Sequence, residues 1–68
     1  NIGEGANRTT SGAKRQRYSE ARGEAGEVAA NARLLTTLAI VPTAAGDTLI
    51  HLSGRVAAML TRLVASVD

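Results

Sequence analysis

From Tyr18 onward the apolar and small residues fall at Tyr18, Ala21, Ala25, Val28, Ala32, Leu35 and Ala39, in steps that alternate strictly between three and four. Only a helix brings such positions to one side, so the pattern describes the seam of one long amphipathic helix. Pro42 closes it, with Val41 biased out of helical geometry as the residue before a proline. Thr10 or Ser11 is placed to cap the other end. The expected helix covers about residues 11–40 and is roughly 42 Å long at 1.5 Å per residue.

The stretch PTAAGDT reads as the loop that follows, with Thr43 or Asp47 as cap of a second helix over about 47–66 and Asp47 suited to its positive end. That helix reads through Leu49, Leu52, Val56, Met59, Leu63 and Val67, and the flanking Ile50, Ala57, Leu60 and Val64 are apolar too. Such a face is wider than one partner helix covers. A short connection makes the pair an antiparallel hairpin. Covering the remaining face requires further helices, from upstream sequence, from other subunits or from both. The expected architecture is all-α, a single domain over residues 1–68 forming part of an up-and-down four-helix bundle.

Composition sharpens that requirement. Sixty-eight residues make one small domain, and thirteen of them are alanines that bury little area each. Phe, Trp and Cys are absent, so neither a disulfide nor a thiolate zinc site can staple the fold, and a cytoplasmic setting is favoured. The longest apolar run, Leu34 to Val41, is broken by Thr36 and Thr37 and stopped by Pro42, well short of the roughly 20 residues that span a bilayer. No charged segment followed by an apolar stretch and a cleavage site marks a signal peptide.

The first residues, NIGEGANR, combine two glycines with an arginine and pose the question of a phosphate-cradling loop. Such a loop needs a preceding strand and a longer pattern such as GxxxxGK[ST], and neither is present. The stretch reads instead as a joint: a helix running into Asn1 to Glu4, a stop at Gly5, and an ANRT link to the capped long helix. Together with the absence of a starting Met, this reads as the later part of a longer chain. Gly23 and Gly26, each costing roughly 1 kcal/mol inside a helix, are best explained by close approach of another backbone. Ligand or nucleic-acid contact is their other reading.

No catalytic constellation emerges. Glu20, Glu24 and Glu27 share a helical stripe with Arg17 and Asn31, but metal-binding bundles need Glu-x-x-His pairs on facing helices, and the single histidine, His51, lies on the other helix. The stripe reads as a solvated or inter-helix ion-pair row in which Arg17 is set to pair with Glu20. Tyr18 and His51 have no nucleophile or orienting partner in a recognisable motif. A metal-dependent enzyme built on these carboxylates and His51 is the weakest reading; the chain reads as a non-enzyme with no cofactor and no metal.

Charge offers more. The formal net charge is only +2, yet Arg8, Lys14, Arg15, Arg17 and Arg22 face one acid, Glu20, between residues 8 and 22. Arg15, Arg22 and Arg33 recur at seven and eleven residues, and Arg55 and Arg62 at seven, spacings that stack side chains almost over one another on a helix. Each row can track phosphates, for which the planar guanidinium is suited, or stand as a plain solvated face. With one aromatic residue in the chain, sequence-specific reading of single strands by base stacking is not expected.

NIGEGANR, Thr10 and the AxGEAxE block from Ala21 to Glu27 together resemble the bacterial four-helix-bundle proteins named after the intervening sequences of 23S rRNA. Asn1, Ile2, Glu4, Gly5, Arg8, Ala21, Gly23 and Glu27 stand at family positions, while Gly3, Asn7 and Glu24 depart from them. The resemblance covers roughly residues 1 to 40. It implies an up-and-down four-helix bundle with one long helix and part of another before residue 1. It also implies homo-oligomers: relatives that serve diversity-generating retroelements resemble pentameric barrels that bind a reverse transcriptase and nucleic acid through a basic surface.

Two functions follow as expectations. In the first, the chain is a non-catalytic oligomeric bundle that acts as a nucleic-acid-associated or adaptor protein, meeting RNA, DNA or a nucleic-acid enzyme, and no membrane. Arg8, Lys14, Arg15, Arg22 and Arg33 then contact phosphate, while Gly5, Arg8 and Glu27 fix the joint. In the second, it is a purely structural or protein-interaction module with those arginines solvated.

Overall fold

The computed structural model describes the backbone of residues 2–67 and the side chains of residues 10–67. Among the described residues there are two helices, α1 over Ile2–Thr37 and α2 over Thr43–Ser66. They pack antiparallel, one against the other along the length of α2. The hairpin measures 57 × 15 × 10 Å, with a radius of gyration of 16.4 Å. A compact chain of this length would have about 11 Å. The molecule is therefore one layer of helices thick.

The expected joint near Gly5 does not interrupt the backbone. α1 runs unbroken from Ile2 through Gly5 and the ANRT stretch, so Thr10 and Ser11 lie inside the helix rather than at its cap. A glycine costs about 1 kcal/mol within a helix and stops it only where a left-handed turn is rewarded by tertiary contacts. No described glycine adopts positive φ. Asn1 and the side chain of Arg8, and hence the bracing role expected of Arg8, lie outside the described residues.

The loop also sits elsewhere than expected. α1 ends at Thr37, and Ala39 takes the left-handed conformation with φ 57°. Ile40 N–H donates to Leu35 O at 2.9 Å and Ala39 N–H to Thr36 O at 3.0 Å, the paired bonds of a Schellman cap. TAAGDT is helical, not loop. Pro42, with φ −60° and ψ 145°, is the N-cap residue of α2, and its carbonyl accepts from Gly46 N–H at 3.1 Å. Proline fixes φ near its helix-compatible value and presents no amide to satisfy, so entry occurs four residues before the expected start. Neither Thr43 nor Asp47 caps it with a side chain.

The seam itself differs from the most apolar track. α2 turns Gly46, Ile50, Ser53, Ala57, Leu60, Val64 and Val67 toward α1, in steps of four and three, and all seven are buried or half-buried. Leu49, Leu52, Val56 and Met59, which the sequence suggested as the seam, remain 42%, 51%, 41% and 48% exposed. α1 answers with Ala21, Ala25, Ala29, Ala32, Leu35 and Thr36. Alanines make a flat face, and the flat side of α2, with its glycine, serine and alanine, approaches it closely. The tightest point is Gly46, where an added Cβ would collide with the Thr36 hydroxyl. Ala32 and Leu60 are the buried hydrophobic residues among those described, and no side chain among them is fully enclosed.

Candidate nucleic-acid interface

Helical spacing puts Arg15, Arg22 and Arg33 on one flank of α1, beside the seam. At 100° per residue they lie within about 20° of one another over roughly 27 Å of helix. All three are exposed. Two are held by α2: Arg15 Nη2 donates to Val67 O at 3.0 Å and Arg22 Nη1 to Thr61 Oγ1 at 3.3 Å. Val67 is the C-cap of α2, so the Arg15 cation meets the negative end of that helix's dipole. Each guanidinium carries five N–H donors, and one bond to α2 leaves others directed to solvent. Arg33 makes no side-chain hydrogen bond among the described residues.

Lys14 is exposed as well, but it precedes Arg15 by one residue and is rotated about 100° from the arginine row. The structure thus aligns three of the expected contacts and leaves Lys14 apart; Arg8 lies outside the described side chains. The second arginine row, Arg55 and Arg62, faces away from the first. These two line a shallow groove with Leu52, Val56 and Met59 on the opposite side of α2. The two rows do not converge on one surface.

The acidic stripe is exposed throughout, with Glu24 lining a groove formed by Ala21, Ala25 and Val28 of α1 and Leu49, Leu52 and Val56 of α2. The expected Arg17–Glu20 pair is replaced: Glu20 Oε1 accepts from Gln16 Nε2 at 3.2 Å, one helical turn back. Glu27 is exposed, and its expected joint partners, Gly5 and Arg8, lie outside the described side chains. Among the described residues no three His, Asp or Glu side chains come together as a metal-ligand set. Tyr18 is half-buried on the seam and His51 is exposed.

Gly23 and Gly26 are not close-approach sites within the hairpin, since a Cβ on either would meet nothing within 4 Å. The close approach occurs instead at Gly46, in the stretch expected to be a loop. Its signal was the register of Gly46 with Ser53, Leu60 and Val67, a heptad that begins only if α2 starts early. No described helix is long and apolar enough to cross a membrane. No protein-family description, curated protein or solved structure matches the chain.

Proposed function

We propose that the chain is a non-catalytic, self-associating helical-bundle protein that binds the phosphate backbone of nucleic acid through the Arg15–Arg22–Arg33 flank of α1. The observation that carries this reading is the alignment of three exposed guanidiniums on one line, two of them oriented by α2 and still offering free donors. Arginines in that arrangement neutralise phosphates without reading bases. The single tyrosine sits half-buried on the seam and offers no stacking platform. The resemblance to the four-helix-bundle family, and the excess of apolar surface on the hairpin, support self-association within such a bundle.

A filter-binding titration with structured RNA and with duplex DNA, at about 50 and 200 mM salt, tests the proposal. Three phosphate contacts give a log–log slope of about −3 on duplex DNA. Affinity that is absent, or indifferent to salt, overturns it. The bonds of Arg15 and Arg22 to α2 favour one second reading, in which both residues serve only to fasten the hairpin and the chain is a structural or protein-interaction module. Under that reading the same titration shows no binding while Arg15 and Arg22 substitutions loosen the fold.

A further inference from the structure

One broad face of the hairpin carries its large apolar residues uncovered. Val28 of α1 and Leu49, Leu52, Val56 and Met59 of α2 are each 41–51% exposed and line two adjoining grooves on the same side. The chain exposes 5022 Å². A compact monomer of 7.0 kDa would expose about 4,000 Å². Part of the surplus of about 1,000 Å² belongs to the first turns of α1, which extend past the end of α2. Another part belongs to Leu34, Leu38 and Ile40 near the turn, and this face supplies a further share; a stable interface needs about 800 Å² per partner.

The rims of the face are oppositely charged. Glu20, Glu24 and Glu27 follow the outer edge on α1, and Arg55 and Arg62 the outer edge on α2. Their heights along the hairpin can be read from its own contacts. Arg15 meets Val67, Arg22 meets Thr61 and Thr36 meets Gly46, residue numbers that add to 82 or 83 each time. By the same rule Glu20 is level with Arg62 and Glu27 with Arg55.

We propose that this face binds a second copy of the chain, related by a two-fold axis parallel to the helices, to close a four-helix bundle. Such an axis lays α1 of each copy over α2 of the other and preserves height, so Glu20 meets the partner's Arg62 and Glu27 the partner's Arg55. The other face-to-face two-fold, perpendicular to the helices, sets glutamate rim against glutamate rim and arginine rim against arginine rim. Like charges across an interface select against it. Either axis makes every neighbouring pair of helices antiparallel, as in up-and-down bundles, so the charged rims make the choice. The Arg15–Arg22–Arg33 flank stays outside. The inference rests on the self-association half of the reading above and is independent of nucleic-acid binding.

Sedimentation velocity of the 68-residue chain, without nucleic acid, tests it. The wild-type protein is expected at twice its 7.0 kDa mass, and Leu52→Glu, at an exposed position, at the monomer mass with helicity unchanged by circular dichroism. Glu20→Arg/Glu27→Arg raises the dimer dissociation constant at least about tenfold, and adding Arg55→Glu/Arg62→Glu returns it to within about threefold of wild type. A short bifunctional thiol reagent gives an independent check, because the chain has no cysteine of its own. Mixed Glu20→Cys and Arg62→Cys chains cross-link to each other, and neither cross-links to itself. A wild-type protein that is monomeric at all concentrations overturns this inference and the self-association reading together. An oligomer that the fourfold charge exchange fails to restore, or in which Glu20→Cys chains cross-link to themselves, overturns this geometry alone.

Discussion

Gly46 of α2 lies against Thr36 of α1 with no room for a side chain between them. The Thr36 hydroxyl donates to Ala32 O at 2.8 Å, and a Cβ on residue 46 would strike that hydroxyl and stand 3.3 Å from Thr36 Cβ. The first turn of α2 is set here, and the register of the whole seam follows from it. Rotating Thr36 away breaks its bond to Ala32 and leaves its Cβ where it was.

Gly46→Ala is therefore expected to destabilise the protein even though alanine is the better helix former. Propensity favours the substitution by about 1 kcal/mol. Overpacking at a site bounded by a β-branched side chain costs about 1–3 kcal/mol. The net loss, up to about 2 kcal/mol in urea denaturation, is relieved when Thr36→Ala is added. Gly54→Ala is the comparison: its Cβ meets nothing within 4 Å, and it gains about 0.5–1 kcal/mol.

Gly23 and Gly26 give the opposite outcome to Gly46. Open space surrounds both within the hairpin, and both point away from the apolar face proposed to bind a second copy. Gly23→Ala and Gly26→Ala should each raise stability by about 0.5–1 kcal/mol and leave the sedimentation coefficient unchanged. Loss of stability or a changed oligomer on either substitution would mean that another backbone packs closely there, as the sequence reading expected.

The two helices, their antiparallel turn and the surplus of apolar face were legible in the spacing of apolar residues. The choice of seam was not. The track of Leu49, Leu52, Val56 and Met59 consists of large apolar side chains throughout, but the hairpin closes on Gly46, Ser53 and Ala57 beside Ile50, Leu60 and Val64. A pattern scored on one helix measures how much each residue gains by leaving water. It carries no information on how near a flat alanine face on the partner allows the backbone to come. The early start of α2 is hidden for a related reason, since a proline after a helical pattern signals a stop, whereas Pro42 opens α2. The arginine row was visible as a period of seven and eleven. That Arg15 and Arg22 are tied to α2 depends on chain register, which only the folded hairpin supplies.

Ala39 is the one described non-glycine residue with positive φ, and it occupies the position of the Schellman cap where glycine is usual. A Cβ in the left-handed region costs about 1–2 kcal/mol. Ala39→Gly removes that strain while keeping both capping bonds, at the expense of a more mobile unfolded chain. Thermal denaturation should show a net gain of about 0.5–1 kcal/mol. A loss instead would mean that the turn adopts another geometry.

Arg33 separates the two proposed roles of the basic flank most cleanly, because its side chain makes no hydrogen bond among the described residues while Arg15 and Arg22 also fasten α2. Arg33→Gln should lower the magnitude of the salt slope for nucleic-acid binding by about 1 and leave the urea midpoint where it was. Arg15→Gln should lower the slope equally and also shift the midpoint slightly, since the cation at the C-terminal end of α2 is lost. Lys14→Gln, one residue away but rotated off the row, should change the slope least of the three. Equal effects from Lys14, Arg15 and Arg33 would show that binding follows net charge alone, with no aligned row of phosphate contacts.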